Sequence, residues 1–364
     1  MRHILLANLS MIAEIPAPTF QETGRVEFLI NRFCELGLQN ASSDEMGNAL
    51  GVLPGQEAER NILLVAHVDN VFDETEDHAV TLQKDTINGI GLADNALGLA
   101  ALATLPTLLE ALGIRLRSHL VFLGDSQSLG RGNLQGMRFF LKNSTMAFSQ
   151  AIVLEGVPLG CLSYHSVGMI RGEIRCLLPD EYDWSQFGVI GAIQTLNEVI
   201  CRMAEIRIPK RPRTSIVFGS IEGGESFSDI ATQASLRFEI RSESAGIVSE
   251  IRQEISDIIA EVSSKMGEEI VFEIVARRRP GGIPFQHPLV QTARNVMKGL
   301  GIPPRISPSL SELSACKAHG IPTIVIGLTE GEHINRRDEM LQIPPIFKGL
   351  AQWLGILQAI DQED

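Results

Sequence analysis

Residues 61–69 read Asn61-Ile62-Leu63-Leu64-Val65-Ala66-His67-Val68-Asp69, an apolar run that ends in His-x-Asp. An apolar run of this length between polar residues is typical of a strand that is buried on both faces of a sheet. In open α/β sheets ligands bind beyond the carboxyl ends of strands, which is where His67 and Asp69 fall. A lone histidine at a strand end is more often structural, so a functional interpretation needs further polar residues at equivalent positions.

Three more apolar segments are each followed by polar residues. They are 118–123 before Asp125, Ser126 and Gln127, 151–154 before Glu155, and 323–327 before the loop that contains His333. A glycine-bearing loop over 86–95 also leads into an Ala/Leu-rich helix. This alternation of buried strands and helices predicts an α/β fold with a mostly parallel sheet and helices on both faces.

The pattern changes between about residue 169 and residue 276. Strand and helix signals there follow the order β-α-β-β-α-β, which is typical of a ferredoxin-like module. We therefore predict a catalytic-type domain over 1–166, an inserted lid or dimerisation domain over 167–278, and the second part of the catalytic-type domain over 279–364.

Composition excludes several classes of protein. The 364 residues are 44% hydrophobic and 21% charged, an ordinary globular mix, and the net charge of −13 argues against a nucleic-acid partner. The five cysteines are scattered and odd in number, which favours reduced thiols. The first helix is amphipathic rather than a signal peptide, and no apolar run reaches the ~18 residues that span a membrane. We expect a cytoplasmic protein without a membrane partner.

The polar residues at the strand ends form one chemical set. It comprises His67, Asp69, Asp94, Gln127, Glu155 and His333. Histidine and carboxylate ligands drawn from several loops suit zinc or a similar divalent ion, and a shared carboxylate can bridge two ions.

The order and spacing of these motifs resemble the dinuclear zinc exopeptidases and deacylases that include glutamate carboxypeptidase, aminoacylase and peptidase T. The resemblance covers essentially the whole chain. It is carried by Gly47-Asn48, His67-x-Asp69, Gly91-x-x-Asp94-Asn95, Leu154-Glu155-Gly156, Ile221-x-Gly223-Gly224, Ile240-Arg241, Gly320-Ile321-Pro322 and His333 followed by Asp338-Glu339.

The resemblance implies a role for each matched residue. His67 and Glu155 would bind one metal ion, Asp94 would bridge two ions, and His333 would bind the second ion. The Asp94-Asn95 peptide would be cis, as in relatives. Asp69 would orient His67. Arg241 would grip a ligand carboxylate, a task suited to its planar guanidinium. The implied ligands are small peptides or N-acyl amino acids, and relatives often dimerise through the inserted domain.

The chain departs from this family where relatives carry two adjacent glutamates, the general base and a ligand of the second metal. Ser126 and Gln127 stand at these positions. A serine hydroxyl has no proton affinity near neutral pH, so it cannot replace a carboxylate base. Glutamine offers an amide oxygen without charge, and the second metal site should therefore be weakened.

The inserted domain departs as well. Relatives carry a histidine there that steadies the reaction intermediate, whereas Asp180, Asp183 and Trp184 occupy this region. Ser228 replaces an asparagine thirteen residues before Arg241. A placed general base typically accelerates a reaction by about 10²–10⁴-fold, and one oxyanion donor by about 10²–10³-fold. A protein that lacks both groups should therefore retain little hydrolysis.

Three functional hypotheses follow. In the first, a metallopeptidase-like or amidohydrolase-like protein binds one or two metal ions but has impaired or lost hydrolysis. In the second, the protein is an active zinc exopeptidase or deacylase in which Asp125, next to Ser126, supplies the base. In the third, it is a non-catalytic ligand-binding protein or a dimeric scaffold.

Overall fold

The computed structural model describes residues 2–57, 60–179 and 190–362. The chain divides into two compact units. The first joins Met1–Ser166 with Gly282–Asp364, and the second is Val167–Gly281.

The strands of the described residues are numbered here in chain order. They are β1 (Gln39–Ser43), β2 (Ala49–Leu53), β3 (Asn61–His67), β4 (Thr81–Leu82), β5 (Thr86–Asn88), β6 (His119–Asp125), β7 (Gln150–Glu155), β8 (Cys161–Ser163), β9 (His165–Ser166), β10 (Gly168–Leu177), β11 (Thr214–Gly223), β12 (Gln233–Ser242), β13 (Glu269–Arg278), β14 (Gly281–Gly282), β15 (Arg305–Ile306), β16 (Thr323–Gly327), β17 (Gly331–Glu332) and β18 (Met340–Gln342).

The α-helices are numbered in the same way. They are α1 (Arg2–Ala13), α2 (Thr23–Glu35), α3 (Leu97–Ala111), α4 (Gln135–Asn143), α5 (Ala192–Ala204), α6 (Ala245–Met266), α7 (Pro288–Gly299), α8 (Leu313–Ala318) and α9 (Ile343–Gln362).

The first unit is built on an eight-stranded sheet with the order β1-β2-β6-β3-β7-β16-β8-β15. Its four central strands, β6, β3, β7 and β16, run parallel to one another. Antiparallel pairs occur towards the two edges, where β2 pairs with β1 and β6, and β8 pairs with β16. The α/β fold with a mostly parallel sheet is therefore confirmed.

Strand β3 is buried on both of its faces. All seven of its residues are buried. Because side chains alternate along a strand, Ile62, Leu64 and Ala66 join one apolar cluster, while Leu63 and Val65 join another on the opposite face. The unbroken apolar run in the sequence reflects this burial on two sides.

Helix α3 is a core helix of the first unit. The stretch Leu92–Ala111 has the length and hydropathy of a membrane span, but 83% of its most apolar window is buried inside the protein. The contacts of α3 with α1 and β3 account for this burial.

The second unit has its own sheet and its own apolar core. Its elements follow the order β10-α5-β11-β12-α6-β13, and its four strands form an antiparallel sheet with the order β11-β12-β10-β13. Even-numbered residues of β10 and β12, such as Ile174 and Phe238, pack with α5 and α6. This is the strand order of a ferredoxin-like module.

Candidate metal centre

Parallel strands end side by side at one edge of the large sheet. Strand β3 pairs with β6 on one side and with β7 on the other, and His67 lies opposite Asp125 in the register of β3 and β6. Glu155 ends β7, beside the end of β16. Residues that are far apart in the chain therefore meet at the carboxyl edge of the sheet.

Within the described residues, His67, Asp94 and Glu155 form the one group whose ligand atoms satisfy the spacing of a metal site. The three atoms lie within 4.8 Å of one another, and His67 Nε2 is 2.8 Å from Asp94 Oδ1. One imidazole nitrogen and two carboxylates match the preferences of zinc and similar divalent ions. The structure thus brings together three of the five residues predicted as metal ligands.

The turn after β3 orients the ring of His67. His67 Nδ1 is 2.9 Å from the main-chain oxygen of Asp69 and 3.4 Å from Asp69 Oδ1. The Asp69 carboxylate in turn accepts the backbone N–H groups of Ser128, at 3.2 Å, and Leu129, at 2.8 Å, and the hydroxyl of Thr19, at 2.8 Å. A ring that donates through Nδ1 presents Nε2 to a metal ion.

Asp94 lies in a π-helical turn, Leu92–Ala96, and the Asp94-Asn95 peptide is cis. The Asn95 side-chain amide donates to the main-chain oxygen of Leu154, at 2.7 Å, which ties this turn to β7. On its other side, Asp94 Oδ2 accepts the side-chain amide of Asn335, at 2.9 Å. One carboxylate oxygen therefore faces His67 and the other is held by the loop after β17.

The charges at this centre suit a cation. Burial opposes protonation of His67, but hydrogen bonds with Asp69 and Asp94 outweigh it and raise the pKa of His67 well above its usual value. Burial also acts to raise the pKa of Asp94, yet the His67 contact leaves that pKa lowered. Burial raises the pKa of Glu155 to about 8, with His67 opposing the rise and Asp94 adding to it. A bound divalent ion would favour the ionised carboxylates and the neutral imidazole of these three residues, so the residues present fit a metal.

At the two positions where the family resemblance places glutamates, Ser126 is buried and Gln127 is partly exposed. The Ser126 hydroxyl donates to the main-chain oxygen of Met46, at 2.7 Å, and the backbone N–H of Ser126 donates to Asn48 Oδ1, at 2.9 Å. Ser126 is only 1% exposed. Gln127 adopts a positive φ of 53°, and its backbone N–H donates to Glu22 Oε1, at 2.9 Å. These two residues supply no carboxylate to the centre.

Asp125, the predicted substitute base, is fully buried. Neither of its carboxyl oxygens has a hydrogen-bond partner among the described residues. Burial, together with the nearby Glu312 carboxylate, raises the pKa of Asp125 well above its usual value. Asp125 thus ends β6 opposite His67, but its carboxyl group is enclosed by the protein.

His333 does not join the group of three ligands in the described structure. Its side chain is 52% exposed, and His333 Nδ1 is 2.7 Å from Asp338 Oδ2. Close to His333 in the chain, Asn335 contacts Asp94 instead.

The substrate-binding residues predicted in the inserted domain lie in the second unit. Arg241 Nε donates to Glu239, whose other carboxylate oxygen accepts from Arg171 Nε at 2.6 Å. The backbone N–H of Ser228 donates to the hydroxyl of Ser226 at 3.2 Å. The predicted positions Asp180, Asp183 and Trp184 lie outside the described residues.

Several residues support the site without having been assigned a role from the sequence, although Asn48 belongs to the Gly47-Asn48 motif. Glu22 holds the backbone of Gln127, Asn48 holds that of Ser126, and Asn335 contacts Asp94. The only signal for Asn335 was its place two residues after His333. Amide and carboxylate side chains in loops are so common that this signal carries little weight without the fold.

Comparison with known proteins places this centre in context. A family model described as Peptidase family M20/M25/M40 matches residues 63–359. A search of curated proteins finds no match.

Solved structures resemble the chain over nearly its whole length. A tripeptidase from Staphylococcus aureus is 19% identical with a TM-score of 0.80, and the match covers 100% of this chain and 99% of that one. Human carnosine dipeptidase 1 is 13% identical with a TM-score of 0.80 and coverage of 100% and 97%. The dipeptidase Dug1p from Saccharomyces cerevisiae is 14% identical with a TM-score of 0.80 and coverage of 99% and 96%.

At these identities the structural likeness establishes the fold. The family model, by contrast, matches far more than half of the chain and spans the segments that carry His67, Asp94 and Glu155. On this evidence, the chain belongs to peptidase family M20/M25/M40.

Proposed function

We propose that this protein binds a divalent metal ion, with zinc as the first candidate, together with a small peptide or N-acyl amino acid, and that its amide hydrolysis is impaired or lost. Members of its family are metal-dependent peptidases. The observation that carries the proposal is the convergence of His67, Asp94 and Glu155 within 4.8 Å, beside a base position that holds a buried serine.

We assign some residues as ligands of the ion and others as supports of these ligands. His67 and Glu155 are the proposed primary ligands, and Asp94 is the proposed shared ligand. Asp69 fixes the ring of His67, and Asn335 holds the second oxygen of Asp94. When bound here, a divalent ion would act as a Lewis acid that polarises a carbonyl oxygen.

The proton-transfer step is the part that we propose is deficient. A general base must reach the attacking water and accept its proton, and this is typically worth about 10²–10⁴-fold in rate. The Ser126 hydroxyl has no such proton affinity, and it already donates to Met46. The carboxyl group of Asp125 is buried without access to solvent. These contacts support slow turnover over the alternative in which Asp125 acts as the base.

We propose that a second metal ion binds weakly. Gln127 would contribute at most an uncharged amide oxygen, and the exposed His333 is paired with Asp338. Two dications at close range repel each other, and one anionic ligand that offsets this repulsion in relatives is absent here. Occupancy of a single site is therefore expected at low metal concentration.

Ligand recognition is proposed to involve Arg241 and Ser228. The Arg241 guanidinium contacts Glu239 through Nε, and the described residues offer no partner to its two terminal nitrogens. A planar fork of this kind can hold a carboxylate with two hydrogen bonds. We also propose a cytoplasmic location and a homodimer formed through the inserted domain, the latter by analogy with the family.

Metal analysis combined with a hydrolysis panel tests the proposal. The purified protein is stripped with a chelator, reloaded with zinc, cobalt or manganese, and assayed against dipeptides and N-acyl amino acids. We expect about one tightly bound ion per chain, ligand-dependent thermal shifts and little or no turnover. The variant Asp94→Asn serves as the control that should lose the ion.

The outcomes separate the hypotheses. Robust turnover by the wild-type protein would establish an active hydrolase, and Asp125→Asn would then show whether Asp125 is the base. Failure to bind any of the three metals would refute the proposed centre. A folded protein that binds neither metal nor ligand would favour a scaffold.

A further inference from the structure

A buried acidic cluster of the first unit lies close to the metal centre, because Glu312 interacts electrostatically with both Asp125 and Glu155. Asp125 and Glu312 are both fully buried. Three of their four carboxyl oxygens, both from Asp125 and Oε2 from Glu312, have no hydrogen-bond partner among the described residues. Unpaired buried carboxyl groups are costly to the folded state, so their presence calls for a physical reason.

The fourth oxygen of this cluster is bonded to the loop that supports the metal centre. Glu312 Oε1 accepts the hydroxyl of Ser128, which is itself only 3% exposed. The two residues are 184 positions apart in the sequence. Glu312 immediately precedes helix α8, so this bond ties the loop after β6 to the start of α8.

The same loop holds Asp69 in place. The backbone N–H of Ser128 donates to Asp69 Oδ1 at 3.2 Å, and the backbone N–H of Leu129 donates to Asp69 Oδ2 at 2.8 Å. Asp69 in turn contacts His67 Nδ1 through its main-chain oxygen at 2.9 Å. A continuous series of buried contacts therefore runs from Glu312 through Ser128 and Asp69 to His67.

We propose that Glu312 is a positioning residue for the metal centre, which acts through Ser128 and Asp69 to fix the orientation of the His67 ring. This inference rests on the proposed function, because it assigns a purpose to the orientation of a metal-ligating histidine. Partners that orient a ligating histidine from behind are typically worth about 10–100-fold in metal affinity.

The test measures zinc affinity and the visible absorption spectrum of the cobalt-loaded protein. We expect Glu312→Ala to weaken zinc binding by about 10–100-fold and to change the cobalt spectrum. Glu312→Gln keeps an acceptor for the Ser128 hydroxyl and should stay within about threefold of the wild type. Ser128→Ala breaks the same link by removing one hydroxyl, and we expect zinc binding about tenfold weaker.

A matched control lies at the amino-terminal ends of the parallel strands in the large sheet, opposite the metal centre. Asp361 is also a buried carboxylate, and it accepts the backbone N–H groups of Arg117, at 2.7 Å, and Ser118, at 2.8 Å, just before β6. Asp361→Asn should lower the melting temperature while leaving zinc affinity and the cobalt spectrum unchanged. If Asp361→Asn weakens zinc binding as much as Glu312→Ala does, the effect is general destabilisation and the inference fails.

Folded Glu312→Ala or Ser128→Ala protein with wild-type zinc affinity and an unchanged cobalt spectrum would also overturn the inference. If the wild-type protein binds no metal, the proposed function fails. The inference is then tested separately in the metal-free protein at alkaline pH, where nitrogen NMR measures which ring nitrogen of His67 carries the proton. A tautomer population that shifts in Ser128→Ala supports the positioning role, and an unchanged population refutes it.

Discussion

Glu155 allows a quantitative test of the metal centre in its metal-free state. Burial raises the pKa of this carboxyl group from 4.5 to about 8. A carboxyl group with a raised pKa binds its proton more tightly in the folded protein than in the unfolded chain. Its contribution to stability is therefore fully present below about pH 4.5 and is lost as the pH rises towards about 8.

The size of this effect follows from the same shift. A change of one pKa unit corresponds to about 1.4 kcal/mol, so the rise of about 3.5 units sets an upper limit of ~5 kcal/mol. Glu155 is partly exposed, so solvent screening reduces this upper limit. We expect a loss of about 1–2 kcal/mol from Glu155 between about pH 5 and about pH 8.

The variant Glu155→Gln isolates this contribution because glutamine does not titrate. Chelator-treated wild-type and variant proteins are unfolded with urea across this pH range. The wild-type protein should lose more stability than the variant, by about 1–2 kcal/mol. His67, whose pKa is also raised, loses stability in the same direction as the pH rises, but it does so in both proteins.

A control variant guards against a general effect of removing one carboxylate. Glu110→Gln changes an exposed residue of α3 and should keep the pH dependence of the wild type. If wild type and Glu155→Gln lose stability equally with rising pH, then Glu155 is not held in an unfavourable buried state, and the argument from charge for a cation at this centre is wrong.

Three further predictions concern the loaded centre and the ligand. Zinc should raise the melting temperature more at about pH 8 than at about pH 6, because its ligands must lose their protons, and His67→Gln should abolish the shift, as scanning fluorimetry would show. Arg241→Gln should weaken binding of a dipeptide by about tenfold or more in calorimetry, and an equal loss for the C-terminal amide of that dipeptide would contradict a carboxylate grip. Ser126→Glu combined with Gln127→Glu should raise peptide turnover by about 10²-fold or more, whereas Ser126→Gln with Gln127→Glu should not, and equal rates in the two double variants would refute a missing base.

The sequence alone was sufficient for the fold class and for most of the centre. The apolar run before His67 is long enough to require burial on both faces, and the structure sends its alternate residues into two separate cores. Because parallel strands end at one edge, His67 and Glu155 were expected to meet, as they do. The amino-acid sequence alone also shows that Ser126 and Gln127 replace two glutamates, since this difference concerns residue identity and not the position of a side chain.

Only the tertiary structure decided where individual side chains point. Strand periodicity is lost in the loops, so nothing local indicated that His333 would pair with Asp338 or that Asn335 would contact Asp94. Asp125 ends strand β6, and its enclosure near Glu312 depends on packing against a distant segment of the chain. Each of these arrangements except the His333 pair depends on segments far apart in the chain. Local propensity determined the elements of this protein, whereas packing between distant segments determined the directions of its functional groups.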